Sequence, residues 1–363
     1  MKDKILVVGG YGQVGRYVAL SLFDKFPDKV IVAGRNLAKA NSFSAEHNNS
    51  FETMELDINN IGSISMAMKN VKIAIICLSA ENNIFAEYCI KNGIHYVDIS
   101  PSYDSIKGIE QFKEDAINYS STCVLGVGLT PGLSNILVKK ALKEFDILQK
   151  VSINLLLGLG ETHGDDGVKW FLDSIYHDYY KCDDGVRKKN KPFIGKNKTT
   201  FGKPLYTRAT YPFNLADQFI LQKTLNIENV ASYYCYDSKV ITAYVSILKR
   251  IGLFALLRWK ISYNIILKSF ILFLKMIHKL NIGSDIFGVQ VDAFGVRNCE
   301  EHTYHIGAVG YNNSLLTAEV TAFVATRLYE GNLPCGVFYI EELFSLSDMD
   351  ELLSNVRVYC KNK

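Results

Sequence analysis

The sequence holds no Cys-x-x-Cys pair; its eight cysteines stand apart at positions 77, 89, 123, 182, 235, 299, 335 and 360. That excludes the common zinc spacings and a disulfide framework. It suits a reducing cytosol, with most of the thiols as small core residues. An excess of one charge is also missing, because 40 Lys and Arg stand against 37 Asp and Glu. A net charge of +3 is too small to argue for nucleic acid, and no stretch interleaves basic and aromatic residues as a recognition motif would. A leader is not expected either: the chain enters an apolar run after three residues, which points to a cytoplasmic location. No uncharged run reaches the roughly eighteen residues of a conventional membrane span. What remains is 363 residues of ordinary globular composition, 48% hydrophobic and 21% charged, long enough for two domains.

The strongest local signal lies at the start. Lys4-Ile5-Leu6-Val7-Val8 is a short apolar run of the kind that forms a buried parallel strand. It leads into Gly9-Gly10-Tyr11-Gly12-Gln13-Val14-Gly15, where Gly10, Gly12 and Gly15 fit G-x-G-x-x-G. Val14, Val18, Leu22 and Phe26 then recur at helical spacing, and Val30–Ala33 reads as a second strand. The first glycine of such a motif allows the tight turn. The second admits a pyrophosphate close to the backbone, and the third lets the helix pack against the sheet. The amides at the helix N-terminus then hold phosphate charge. Residues 10–15 are thus the candidate dinucleotide loop.

The end of the second strand selects among dinucleotides. An NAD site usually places an acid there for the ribose 2′-hydroxyl. This chain has Gly34-Arg35-Asn36, with Lys39 a turn later. An acid would repel a 2′-phosphate, whereas Arg35 can pair with one, so NADP(H) is expected over NAD(H). The bland reading makes Arg35 a solvated strand-end residue.

Strand and helix patterns go on alternating to Gly128, which predicts an open parallel sheet with helices on both faces, a Rossmann domain over residues 1–129. Ligands in such sheets lie beyond the carboxyl ends of the strands. That puts Asp57-Ile58 at the adenine end of the cofactor rim and Ser79-Ala80 towards the nicotinamide; each is equally readable as a turn or helix cap.

Several short motifs recur together in this order: residues 9–15, Ala33-Gly34-Arg35, Tyr96-Val97-Asp98-Ile99, Gly128-Leu129-Thr130-Pro131-Gly132-Leu133-Ser134-Asn135, and far downstream Leu333-Pro334-Cys335-Gly336-Val337 with Glu341-Glu342. The set resembles the saccharopine dehydrogenase-like oxidoreductases, the family of saccharopine reductase and carboxynorspermidine dehydrogenase. The resemblance covers nearly the whole chain. It implies α/β architecture, with an N-terminal Rossmann domain, a mixed α/β substrate and dimerisation domain over 130–314, and a segment 315–363 that returns to the Rossmann domain. It also implies NADP(H)-dependent reduction of an imine, or the reverse. In one respect the chain departs from the family: saccharopine reductases carry an Asp before the Pro-Gly, where this chain has Thr130. The loss of that carboxylate argues against saccharopine itself as substrate.

In the second domain the candidates are fewer. Thr130, Pro131 and Gly132 are placed against the substrate. In the loop 158–167, His163 is a candidate general acid and Asp166 or Asp165 its orienting partner; alternatively the aspartates cap the helix that follows. Glu161, His163 and Asp166 could hold a metal, but hydride transfer needs none and none is expected. Cys182–Phe201, polar and rich in Lys, reads as an exposed excursion. Arg208 is a candidate clamp for a substrate carboxylate, with Tyr211 and Phe213 as walls, or else a surface residue of an edge strand. Residues 239–284 contain eight Lys or Arg and no acid. They read as a buried helix pair at a dimer face or roofing a pocket, as the cover of an apolar tunnel, or as peripheral membrane contact through 250–280. The functional reading is an oxidoreductase acting on a small-molecule C–N bond in a homodimer. Its competitors are a non-catalytic NADP(H) sensor and a membrane-peripheral reductase of a lipid-like carbonyl.

Overall fold

Lys4–Val8 forms β1, a strand whose last four residues are buried, as a continuous apolar run in a sheet covered on both faces must be. The computed structural model describes residues 2–161, 164–183, 186–280 and 283–362. After β1 come α1 (Gly15–Phe23), β2 (Val30–Gly34), α2 (Leu37–Glu46), β3 (Glu52–Glu55), α3 (Ile61–Ala67), β4 (Val71–Ile76), α4 (Ile84–Lys91), β5 (His95–Asp98), the short α5 (Tyr103–Ile106), α6 (Lys113–Asn118) and β6 (Thr122–Leu125). The strands pair in parallel in the order β6-β5-β4-β1-β2-β3, so the order reverses at β1. Helix α1 buries Val18, Ala19 and Leu22. Truncating Leu22 to Ala would cost about 2–5 kcal/mol in lost burial and cavity formation.

The chain continues with α7 (Ser134–Leu142), β7 (Ile147–Leu157), α8 (Asp165–Tyr176), β8 (Tyr179–Asp183), β9 (Val186–Asn190), β10 (Asn197–Thr200), β11 (Thr207–Pro212), α9 (Asp217–Thr224), β12 (Asn229–Tyr236), α10 (Lys239–Arg250), α11 (Lys260–Lys279), β13 (Ile286–Arg297) and β14 (Glu300–Tyr311). It closes with α12 (Asn313–Glu330), β15 (Gly336–Tyr339), α13 (Ile340–Leu343) and β16 (Arg357–Asn362). Two units result. The first holds residues up to Gly132 and Ser314–Leu343; the second holds Leu133–Asn313 and the residues from Phe344 onward. The C-terminal segment therefore divides. β15 joins the first sheet beside β6, while β16 joins the second beside β14.

Within the first unit α12 buries Leu316, Val320, Val324 and Leu328, and Tyr329 adds specific contacts. Its ring packs on Phe26 with centroids 4.4 Å apart, and its carbonyl accepts from Lys72 Nζ at 2.7 Å. The second unit carries a seven-stranded mixed sheet, β10-β11-β12-β7-β13-β14-β16, in which β7 and β12 run parallel and the other pairs antiparallel. Phe171 of α8 is the hub of its aromatic packing, stacked on Phe213 at 5.6 Å and on Phe270 of α11 at 5.9 Å. A buried polar network ties five strands. Asn154 Oδ1 accepts from Thr199 at 2.7 Å and Thr210 at 3.3 Å, Asn154 Nδ2 donates to Asp292 at 3.2 Å, and Tyr359 OH donates to Gln290 at 2.7 Å. Each polar group so placed is satisfied, the condition under which such a network specifies a fold.

Two expectations need correction. Cys182–Phe201 is not a plain excursion, because it contains β9, β10 and the end of β8. The stretch 261–280 is helical, but it is not a buried helix within the chain: α11 buries Leu274 and Ile277 and leaves Ile261, Leu272 and Met276 exposed.

Burial pushes the pKa of two carboxyls among the described residues up to about 6: Asp98 at the end of β5 in the first unit and Asp217 at the start of α9 in the second. The folded state then holds protons that the unfolded chain releases, so these groups lower stability as pH rises from about 4 through about 6. Thermal unfolding followed by circular dichroism should show the melting temperature falling over that window. The slope should flatten in the D98N/D217N double variant.

Candidate functional site

The loop after β1 is shaped by backbone crowding. Gly9, one residue before the expected turn glycine, takes the left-handed conformation at φ +76°, and Gly12 N donates to Gly9 O at 2.8 Å. A Cβ on Gly15 would lie 2.2 Å from Gly9 O, far inside contact distance, so α1 can start this close to the loop only with glycine there. Among the described residues no side chain caps α1, and its first turn carries no acid. Arg16 N and Val18 N donate to Gly12 O and Val14 O, both at 3.1 Å, and the positive end of the helix dipole suits an anionic ligand at the remaining amides. Tyr11, Gln13 and Val14, part-buried, complete the loop.

The adjoining strand ends converge on it. Gly9 N donates to Ala33 O at 2.8 Å and Cys77 N to Val8 O at 2.9 Å, which sets the ends of β2 and β4 on either side of the loop. Tyr11 lies against Gly34, and its hydroxyl accepts from Asn36 N at 3.1 Å. Asn36 also caps α2 by accepting from Lys39 N at 3.0 Å, and Arg35 and Lys39 stand exposed. Asp57, past β3, turns the chain by accepting from Asn59 N at 3.0 Å; Ile58 is buried and Ser79 exposed beyond β4, with Ala80 part-buried. The candidate cofactor residues thus lie at the carboxyl ends of β1 to β4, around the point where the strand order reverses.

The turn Thr130-Pro131-Gly132 follows β6 in the same unit. Its Thr130–Pro131 peptide is cis, Gly132 has φ +137°, and Pro131 packs on Gly126. Asp98, buried at the end of β5, was missed as a site candidate. It accepts from Tyr96 OH and from Ser100 N, both at 2.7 Å, and nothing in its spacing singles out a strand-end acid as buried.

The remaining candidates belong to the second unit. His163 lies outside the described residues. Asp166 is exposed in the first turn of α8, beside Asp165, where a negative charge suits the helix dipole. Glu161 is buried and accepts from Asn313 N at 3.1 Å, so its carboxylate holds the start of α12. Arg208 sits on β11 and lines a cavity of about 490 Å³ with Lys196, Lys198, Lys239, Tyr211 and Tyr236. Among the described residues no carboxylate lines this cavity, and the buried Nε of Arg208 has no hydrogen-bond partner. Phe213, proposed as a wall, is not among its lining residues; it packs against Phe171 and Trp170. The lysines of the cavity escaped notice because Lys196 and Lys198 reach Arg208 through the pairing of β10 with β11 and Lys239 through the start of α10, and neither juxtaposition shows in the residue spacing. Their one signal was the pair Lys196 and Lys198 flanking Asn197 on a short polar stretch.

The first unit is thus a dinucleotide-binding domain of the Rossmann type. Residues 5–124 match the family model of the saccharopine dehydrogenase NADP binding domain. The chain as a whole is saccharopine dehydrogenase-like in fold. Among solved structures, apo saccharopine dehydrogenase (L-Glu forming) from Saccharomyces cerevisiae superposes with a TM-score of 0.71 at 14% identity, over 99% of this chain and 100% of that one. The DAP dehydrogenase of C. glutamicum, in complex with DAP, follows at 0.49 and 11% identity, over 98% and 96%. No curated protein sequence matches the chain.

Gly15→Val should remove NADPH binding altogether in isothermal calorimetry, since helix and loop must part to admit the side chain. Gly62→Ala, whose Cβ would meet an Asn60 side-chain oxygen at 3.3 Å away from the loop, should leave it intact.

Proposed function

We propose that the chain is an NADP(H)-dependent oxidoreductase acting on the C–N bond of an amino-acid-like substrate: it reduces an imine formed from an amine and an oxo acid, or catalyses the reverse. The observation that carries this reading is the Gly9–Gly15 junction, an uncapped helix start held against a glycine turn, in a domain whose family binds NADP. The saccharopine dehydrogenase fold of the whole chain supports a substrate of the CH–NH type.

The residues divide the work. Amides of the Gly10–Gly15 loop hold the pyrophosphate, and Tyr11 with Asn36 shapes the ribose end. Arg35, exposed at the end of β2 with Lys39 beyond it, holds the additional phosphate of NADP(H) and sets its preference over NAD(H). When bound, the nicotinamide supplies or accepts the hydride. In the second unit, the cationic cavity around Arg208 takes a substrate carboxylate by charge-assisted hydrogen bonds, with Tyr211 as an apolar wall. An unpartnered buried guanidinium nitrogen is costly unless a ligand meets it, which favours this role over that of a surface arginine. The reaction belongs to the cytoplasm, where thiols such as buried Cys89, Cys123 and Cys235 stay reduced.

NADPH consumption, followed by its fluorescence across a panel of amine and oxo-acid mixtures, should require both partners. Binding of NADPH with no turnover in any mixture would sink the enzymatic reading in favour of a sensor. In the active mixture Arg208→Leu should raise KM at least tenfold with kcat little changed, the mark of lost uniform binding. Arg35→Asp should weaken NADPH by about 1.5–3 kcal/mol, the worth of a charged hydrogen bond, and spare NADH.

A further inference from the structure

The segment 239–284 carries eight basic residues and no acidic one, and it leaves Val240, Ile247, Ile251 and several residues of α11 exposed. Helix α11 is held to the second unit by one face only. Phe270 stacks on Phe171, Tyr263 OH donates to Asp173 Oδ1 at 2.9 Å, and Leu274 and Ile277 are buried. At 3.6 residues per turn, Ile261, Ile265, Leu272 and Met276 fall on the opposite side, within about 60° of one another. They are 77%, 59%, 68% and 51% exposed. Lys268, Lys275 and Lys279 run along the flank of that stripe, all exposed. The turn leading into the helix adds Ile251, Leu256 and Trp259, the last stacked under Arg258 at 3.8 Å.

We infer that this face docks on an anionic membrane surface. By length and composition Lys260–Lys279 could cross a membrane, and its most apolar window is only 11% buried. Its inner face, however, is packed lengthwise on protein, so the helix lies along the surface and presents its outer stripe to the lipid. The flanking lysines extend their stems over the apolar stripe and place their ammonium groups among lipid phosphates and carboxylates. Trp259 is the side chain suited to the headgroup boundary. A second copy of the chain is the poorer occupant. Apposing two such segments would bring lysines against lysines, with no acid anywhere in 239–284 to neutralise them.

The test uses the full chain in flotation with phosphatidylcholine vesicles, with and without phosphatidylserine, alongside sedimentation velocity without lipid. Binding is expected to the serine-containing vesicles alone and to weaken at high salt. The K268E/K275E/K279E variant should lower affinity by about two orders of magnitude, and I265S/L272S should abolish binding. NADPH affinity and melting temperature should be unchanged in both, since every altered side chain is exposed. No binding to either vesicle overturns the inference, as does binding indifferent to the lysines. A lipid-free dimer dissociated by I265S/L272S overturns it too, by assigning the face to self-association.

Discussion

The first unit depends on one close approach, that of the backbone at Gly15 to the carbonyl of Gly9. Because nothing larger than hydrogen fits there, α1 begins directly at the end of β1 and points its first amides past the sheet edge. β1 lies between β4 and β2, so the same edge receives the turns that follow both neighbours. Sheet order and loop contact together make one continuous rim from a chain that visits it several times. A dinucleotide is long enough to need such a rim, and the parallel sheet supplies it without any strongly reactive side chain.

The second unit works by different physics. Its cavity gathers Lys196, Lys198, Arg208 and Lys239 around two tyrosines, an arrangement whose mutual repulsion costs the fold energy. Like charges repel, and a guanidinium nitrogen is buried without a partner. Local rules for a stable fold are broken here together. The network around Asn154 in the same sheet is, by contrast, paired through Thr199, Thr210 and Asp292.

The parallel sheet could be read from the sequence because its strands are apolar on both faces and its helices repeat at 3.6 residues. The glycine turn between β1 and α1 was legible for the same reason, and its left-handed residue is Gly9. What could not be read were short strands with polar composition. Asn197–Thr200 shows no apolar alternation, since Thr199 is buried by hydrogen bonding to Asn154 rather than by hydrophobicity. Arg208 stood out as a lone cation, but its companions are brought to it by strand pairing and by α10, which periodicity does not encode. In 239–284 the helical period was plain. Which side would be covered was not, because apolar residues occupy most of the circumference and tertiary contacts, such as Phe270 on Phe171 and Tyr263 with Asp173, decide it.

The seventh strand of the first sheet has a bearing on how the protein is made. β15 sits beside β6, yet about two hundred residues separate them in the chain, and the whole sheet of the second unit except β16 is encoded in between. During synthesis β6 therefore emerges with one side of its backbone unmatched, and it waits in that condition until Gly336–Tyr339 leaves the ribosome. For that interval the nascent polypeptide exposes a sticky border, and a chaperone that shields it would be needed more by this chain than by one whose nucleotide domain is encoded without interruption.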